Sequence, residues 1–178
     1  MAYNTERGVL PDLDTVFREH AAFVMRVVRR MGVPERYVED VSQEVFLVLH
    51  RRLKDYDPAR PLRTWIYGIA SRTALGQRRR AHHRRERLDS SPELPAVDPE
   101  QERAMQRAEA RAVLDRALDS LDADKRTVFV AYDLEGIPMK EIASGLGWPL
   151  QTAYSRLHAA RRRVRESVEA TDLRRSAG

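Results

Sequence analysis

The segment from Met139 to Val168 constrains the fold more than any other part of the chain. Apolar residues recur at helical spacing from Met139 to Leu146, and Gly147 follows, where positive φ allows a sharp turn. Pro149 suits the first turn of a second helix, because that position needs no amide donor. The small Ala143 lets two helices cross closely at a steep angle. The segment therefore predicts a helix-turn-helix.

The second helix of this motif begins with mostly polar residues and continues into a run of arginines. In a DNA-binding helix-turn-helix, such early residues meet base edges and the arginines meet phosphates. The residues expected to contact DNA are Gln151, Thr152, Tyr154, Ser155, Arg156, Arg161 and Arg162. The alternative is a helical hairpin with a solvated basic face, which is what a charge run on a helix usually is. The glycine turn, the small residue and the proline start together favour DNA binding.

The rest of the chain also shows helical spacing and no strand-like alternation. Further helices are expected over residues 13–31, 35–53, from 61 into an arginine cluster, 100–121, and from 122 or 123 to 133. Residues 89–99 hold three prolines and no helical period, which predicts a linker. We therefore expect an all-α fold of two small helical domains, residues 10–87 and 102–170, joined by a flexible acidic linker over residues 88–101.

Two groups of residues in the first domain are candidate binding sites. Asp40 precedes Gln43 and Glu44 by three and four residues, so the three share one helix face, which could simply solubilise the helix. Further on, arginines interleave with aromatic residues, a combination that suits single-stranded DNA because arginines contact phosphates and rings stack on bases. The candidates for this contact are Arg63, Tyr67, Arg72, Arg78, Arg79 and Arg80. Trp65 is expected to be at least partly buried.

Composition narrows the function classes. The net charge of +5 and the pI of about 9.9 are compatible with a polyanionic partner. The lack of cysteine excludes disulfides and thiolate zinc sites, and the histidines lack metal-binding spacing. With no glycine-rich phosphate loop or nucleophile elbow, we expect no cofactor, no metal and no enzymatic activity. No signal peptide and no apolar window of roughly 20 residues are evident, so we expect a cytoplasmic protein without membrane insertion.

Both halves of the chain resemble the extracytoplasmic-function (ECF) sigma factors. Asp133-Leu134-Glu135-Gly136, Glu141-Ile142-Ala143, and Thr152 with Ser155-Arg156-Leu157-His158 match the pattern of region four in that family. Upstream, YVEDVSQEVFLVLHRRLKDYDPARPLRTWIYGIASRTALGQRRR is similar to region two. Tyr154 stands where the family commonly has lysine or arginine, so the bases read at this position stay open.

The resemblance implies a sigma factor that brings core RNA polymerase to promoter DNA and begins strand opening. Region two would bind core polymerase through Asp40, Gln43 and Glu44 and open the minus-ten element, and region four would bind the minus-thirty-five element. The linker would thread the active-site and RNA-exit path of the polymerase, and an anti-sigma factor is a further implied partner.

Two other functions compete with this one. The first is a free-standing helix-turn-helix regulator, which would have no use for the acidic face. The second is a sigma mimic that sequesters an anti-sigma factor. A mimic would be expected to have lost the basic and aromatic residues from Arg63 to Arg80, which this chain keeps.

Overall fold

Helices make up nearly all of residues 12–85 and 99–176, the two ranges that the computed structural model describes. The α-helices in chain order are α1 (Leu13–Arg30), α2 (Val38–Arg52), α3 (Leu62–Arg85), α4 (Pro99–Asp119), α5 (Ala123–Phe129), α6 (Met139–Leu146) and α7 (Leu150–Ser176). Short 3-10 turns at Glu35–Tyr37 and Leu53–Asp55 flank α2, and a π-helical turn at Val130–Leu134 continues α5. Neither range contains a strand, which confirms the all-α prediction.

Helices α1, α2 and α3 pack as a bundle because each carries an apolar stripe at helical spacing. The stripes are fully or almost fully buried and include Val24, Val27, Val28, Val41, Val45, Leu49, Ile66 and Ala70. Phe17 of α1 lies outside the buried stripe: it is half exposed and packs edge-on against Phe46 of α2. Gly32 ends α1 with a φ of +89°, as expected for a residue just after a helix.

Helices α4 to α7 form the second half of the molecule. Their buried residues include Leu118, Val128, Ile142, Leu157 and Ala160, again one stripe from each helix. Asp122 caps α5, since its side chain accepts a hydrogen bond of 2.9 Å from the amide of Lys125. Within the described ranges no helix is both long enough and apolar enough to cross a lipid bilayer.

The two halves lie against each other, and their buried apolar residues form one continuous cluster. Helix α3 of the first half contacts α6 of the second. Most of the predicted linker, together with residues 10, 11, 86 and 87 of the predicted first domain, lies outside the described residues. Helix α4 begins at Pro99, inside the linker predicted over residues 88–101, because proline suits the first position of a helix.

Candidate nucleic-acid interface

Helices α6 and α7 form the predicted helix-turn-helix. Gly147 joins them with a φ of +69°, and the amide of Trp148 donates to the carbonyl oxygen of Ala143 at 2.8 Å. Ala143 is buried, and so is Ala153 in the first turns of α7, which allows the two helices to approach closely. The glycine turn, the small residue and the proline start therefore have the structural roles that the sequence predicted.

One face of α7 is exposed to solvent along its first turns. Leu150 is 39% exposed and Tyr154 46% exposed, and their spacing of four residues places them in one row. We call the exposed residues of these turns the recognition face: Leu150, Gln151, Tyr154, Ser155, His158 and Arg162. Thr152 is half-buried at its edge. Leu150 is one of the early helix residues that the sequence offers to DNA, whereas His158 was not among the residues predicted to contact DNA.

Two of the predicted arginines of α7 instead make contacts inside the second half. Arg156 pairs with Asp124 at 2.8 Å, and its guanidinium lies 4.0 Å from the ring centre of Trp148. Its Nη1 atom is buried and has no hydrogen-bond partner among the described residues. Arg161 donates to both carboxylate oxygens of Asp133, at 2.6 and 3.0 Å, and this hydrogen bonding raises the pKa of Arg161.

The predicted single-strand face on α3 contacts the second half of the chain. Arg63 donates to Glu135 Oε2 at 3.0 Å. Tyr67 is buried, and its hydroxyl donates to the carbonyl oxygen of Thr127 at 2.6 Å. Burial, and next the charge of Glu135, raise the pKa of Tyr67, so its hydroxyl stays protonated and can donate. In this arrangement the Tyr67 side chain is not available to a base.

The more C-terminal cations of α3 make weaker or more exposed contacts. Arg72 donates to the carbonyl oxygen of Gly145 at 3.1 Å, and Arg78 pairs with Asp119 at 3.2 Å. Arg79 is exposed. The predicted minus-ten residues are thus on one helix, but at different depths in the molecule.

Glu135 is the most heavily paired acid of the described residues, and its side chain is only 1% exposed. Arg26, Arg30 and Arg63 of the first half all donate to its carboxylate. The two halves therefore meet at a buried carboxylate with three guanidinium partners, which we call the Glu135 cluster.

The backbone before Glu135 places it at this position. In the π-helical turn, the Glu135 amide donates to Val130 at 2.9 Å, five residues back rather than four. Gly136 follows with a φ of +67°, which turns the chain away into α6. The wide turn carries the carboxylate out of α5 toward α1 and α3.

Arg126 is a second buried contact between the halves. Its Nε donates to the carbonyl oxygen of Arg30 at 2.7 Å, and its Nη1 pairs with Asp119 at 2.8 Å. Burial lowers the pKa of Arg126, while the hydrogen bond that Arg126 donates to Asp119 opposes that shift. Gly32 faces this guanidinium so closely that an added Cβ would lie 2.9 Å from Arg126 Nη2.

A cleft of about 450 Å³ lies between α3 and α6. Basic residues from both halves line it, namely Arg52, Arg60, Arg72 and Lys140. Beside it, Thr64 Oγ1 donates to Glu141 Oε2 at 2.5 Å. Trp65 also lines the cleft; it is half-buried and its ring lies 5.0 Å from that of Tyr56, in line with the expectation that it is partly core.

The acidic residues of α2 lie on the face that their spacing predicted. Asp40 and Gln43 are exposed, and Glu44 is half-buried. Glu44 pairs with Arg80 at 3.4 Å. Arg80 is the last of the α3 cations predicted to contact single-stranded DNA. Asp40 and Gln43 thus offer their side chains to a partner more freely than Glu44 does.

Sequence reasoning missed Glu135 and Arg126 as contact residues. Both Asp133 and Glu135 lie between the buried residues Ala131 and Ile137, and the sequence did not show which of the two acids would be buried. For Arg126 the sequence held no signal, since it reads as one more surface cation of a short helix. Among the described residues no three His, Asp or Glu side chains come together as metal ligands would.

A helix-turn-helix with an exposed recognition face, joined to a bundle with a basic helix, defines an all-helical DNA-binding protein in two parts. Comparison with known proteins identifies its family. Residues 16–85 match the family model of Sigma-70 region 2, and residues 111–164 match that of Sigma-70, region 4. The chain belongs to the ECF group of sigma-70 family RNA polymerase sigma factors.

Several curated proteins are similar over most of the chain. The ECF RNA polymerase sigma factor SigE of Mycolicibacterium smegmatis is 32% identical over 90% of this chain and 63% of its own length. The ECF RNA polymerase sigma-E factor of Escherichia coli is 30% identical over 77% of this chain and 76% of its own length. The chain spans only 55% of the length of the probable ECF sigma factor SigI of Mycobacterium tuberculosis, with 31% identity. It therefore covers less than two thirds of the two mycobacterial relatives.

Two solved structures share the fold. The structure of CnrH in complex with the cytosolic domain of CnrY matches with a TM-score of 0.67 and 24% identity, over 89% of this chain and 88% of that one. The sigma factor RpoE in complex with the anti-sigma factor NepR from Bartonella quintana matches with a TM-score of 0.67 and 18% identity, over 89% and 97%.

Proposed function

We propose that the chain is the promoter-selecting subunit of RNA polymerase. It binds core polymerase through α2, reads the duplex minus-thirty-five element through α7 and begins strand opening through α3. The observation that carries this proposal is that region 2 and region 4 occur in one chain, each with its candidate binding face on a defined helix.

The recognition face of α7 is proposed to enter the major groove. Gln151, Tyr154 and Ser155 are exposed there and reach base edges, while Arg162 contacts phosphate. The neighbouring Leu150 and His158 belong to the same contact, since they share this face.

The other predicted residues of α7 have supporting roles. Arg156 and Arg161 act as positioning residues, because their guanidinium groups already hold α7 against Asp124 and Asp133. Thr152, half-buried, contacts the phosphate backbone at the edge of the groove.

The cations of α3 are proposed to hold the opened minus-ten strand. Arginines along a helix can follow successive phosphates, and an aromatic ring can stack on a base that leaves the duplex. The residues we assign to this contact are Arg63, Tyr67, Arg72, Arg78, Arg79 and Arg80. Because Tyr67 is buried against Thr127, this contact requires the two halves to move apart.

The acidic face of α2, formed by Asp40, Gln43 and Glu44, is proposed to dock on a basic surface of core polymerase. Asp40 and Gln43 make this contact first. Glu44 becomes available to polymerase when its partner Arg80 binds DNA instead. Such rim charges set the association rate and orientation more than the affinity. Polymerisation itself belongs to the core enzyme, so the chain supplies promoter choice without catalysing a reaction.

A protein inhibitor is the further partner that the relatives suggest. CnrH was solved in complex with the cytosolic domain of CnrY, and RpoE in complex with the anti-sigma factor NepR. We propose that this chain, too, has an anti-sigma partner and acts in the cytoplasm, where core polymerase and promoters meet.

Run-off transcription tests the proposal. Core polymerase with and without the chain is given genomic promoter fragments, and discrete transcripts are expected only with the chain present. A free-standing regulator would bind duplex DNA but yield no such transcripts, and a sigma mimic would neither bind DNA nor start transcription. Absence of chain-dependent transcripts, with core active on a control template, would refute the proposed function.

A further inference from the structure

The cleft between α3 and α6 contains only one residue that the proposed function uses, Arg72. Its volume of about 450 Å³ lies within the usual range of small-molecule sites, about 300–1,000 Å³. Two helical stripes line it, one on α3 from Thr64 to Arg72 and one on α6 from Lys140 to Gly145. The cleft thus has the size and the walls of a ligand site to which both halves contribute.

Two glycines keep this cleft open. Gly68 lies in the middle of the α3 stripe, and Gly145 lies at the end of the α6 stripe. A Cβ added to Gly68 would meet only the guanidinium of Arg72, at 3.6 Å, so the space beside the α3 backbone is otherwise free. A ligand can therefore reach the backbone of α3 next to a cation.

The cleft carries positive charge that the protein does not compensate. The charged residues that line it are four cations, Arg52, Arg60, Arg72 and Lys140, and one carboxylate, Glu141, which leaves three positive charges. Within the described ranges Arg52 and Lys140 form no ion pair, and Arg60 lies 3.8 Å from Asp57. Lys140 is also in the first turn of α6, where the helix dipole favours anions. These charges suit a small ligand with several negative charges.

Trp65 and Glu141 add a second kind of contact. Trp65 is half-buried and its ring lies 5.0 Å from that of Tyr56, so it offers the cleft a fixed aromatic surface on which a base can stack. Glu141 accepts from Thr64 through Oε2, which leaves Oε1 to accept from an amino group. Because a phosphate is repelled by this carboxylate, the base of a nucleotide fits that end of the cleft better.

We propose that the cleft is a binding site for a purine nucleoside diphosphate. The phosphates contact Arg52, Arg72 and Lys140, and the base lies against Trp65 with its exocyclic amino group donating to Glu141. Such a ligand carries about three negative charges at neutral pH, because the terminal phosphate has its second pKa near 6. This inference goes beyond the proposed function and does not rest on it.

Isothermal titration calorimetry of the full chain with ADP and with GDP, in magnesium-free buffer, tests the site. At least one of the two nucleotides is expected to bind one to one with a Kd of about 100 µM or below. Inorganic pyrophosphate lacks the base and is expected to bind at least about tenfold more weakly, because stacking on an aromatic side chain contributes strongly to nucleotide binding.

Lys140→Gln is the test variant, and Lys54→Gln is its matched control. Both lysines are exposed and both substitutions remove one positive charge, but only Lys140 lines the cleft. Lys140→Gln is expected to weaken nucleotide binding about tenfold, because a hydrogen bond to a charged group is lost. Lys54→Gln is expected to bind as the unaltered chain does.

A single-stranded DNA of about 12 nucleotides is titrated in parallel as the competing occupant. If Lys140→Gln weakens binding of the strand but not of ADP or GDP, the cleft serves the strand and the inference is wrong. Absence of binding by both nucleotides, equal affinities of the two lysine variants, or pyrophosphate bound as tightly as the nucleotides would also overturn it. Run-off transcription by the unaltered chain reports on the proposed function separately.

Discussion

Gly32 combines two constraints that act on a single residue. Its φ of +89° is strained for any residue with a Cβ, and an added Cβ would lie 2.9 Å from Arg126 Nη2. That guanidinium cannot easily move, because its Nε and Nη1 are hydrogen-bonded to Arg30 and Asp119. Gly32 is thus a conformational requirement of α1 and a spacing requirement of the contact between the halves.

We expect Gly32→Ala to lower the free energy of unfolding by about 1–3 kcal/mol, the usual cost of a strained backbone position. Urea denaturation of the full chain measures it. Gly76→Ala is the control, because a Cβ at Gly76 of α3 meets nothing and alanine favours a helix by about 0.5–1 kcal/mol. Equal losses in the two variants would contradict this account.

His20 links stability to pH. It is a buried residue of α1, and burial lowers its pKa; the charge of Glu19 opposes this shift and that of Arg63 adds to it. The folded state therefore holds His20 neutral, while the unfolded chain binds a proton near pH 6.5. The contribution of neutral His20 to the free energy of unfolding is complete above that pH. It decreases as the pH drops through 6.5 toward the lower pKa of the folded state.

The expected result is a smaller loss of unfolding free energy between pH 7.5 and 5.5 in His20→Gln than in the unaltered chain. Urea titrations at a series of pH values give this slope. His50→Gln, the same substitution at an exposed position of α2, is the matched control. A His20→Gln slope as steep as that of the unaltered chain would show that another group carries the pH dependence.

At the scale of the element, α7 presents a row in which Leu150 and Tyr154 are its first exposed side chains. Apolar side chains in the major groove contact the C5-methyl group of thymine. Since a charged residue is common in the family at the position of Tyr154, this chain is expected to read a thymine there rather than to rely on a phosphate.

Replacing that thymine by deoxyuridine removes one methyl group, worth about 0.8 kcal/mol or roughly a fourfold loss of affinity. We expect this loss for holoenzyme with the unaltered chain, on a duplex first selected from a random pool. Holoenzyme with Tyr154→Arg should bind the thymine and deoxyuridine duplexes with equal affinity. Leu173 is 72% exposed at the far end of the helix, and holoenzyme with Leu173→Ala should show the same loss of affinity as the unaltered chain. Equal sensitivity in all three proteins would exclude Tyr154 as the reader.

The helices could be predicted from the sequence because their causes are local. Periodicity fixed the buried faces of α1 to α3, and Gly147 with Pro149 fixed the turn between α6 and α7. The burial of Tyr67 and the Glu135 cluster could not be predicted from the sequence. The hydrogen bond of Tyr67 joins residues 60 positions apart in the chain, and the contact of Arg26 with Glu135 joins residues 109 positions apart. No residue near Tyr67 in the sequence indicates that α5 will cover its side chain.

At the scale of the whole molecule, the faces assigned to polymerase and to DNA differ in access. Asp40 and Gln43 are exposed while the two halves are together, whereas Tyr67 is covered and Arg63 is paired. If the proposed assignments hold, polymerase binds before the chain opens, and single-stranded DNA only afterwards. This order keeps a basic chain of net charge +5 from holding strands that no polymerase has opened.

Charge reversal at Asp40 tests the first step. Asp40→Arg should slow association with core polymerase about tenfold at low salt, with a smaller difference at high salt, because exposed charges are screened. Stopped-flow fluorescence of the labelled chain measures the rate. Glu169→Arg, the same charge change on the exposed end of α7, should associate at the original rate.

Combining Asp40→Arg with Glu135→Gln shows whether binding to polymerase and opening are separate steps. Their effects on the free energy of binding to core polymerase should add, because the two residues lie on different faces and share no described contact. If the effects are strongly non-additive, core polymerase contacts the chain only after it opens, and the proposed order is reversed.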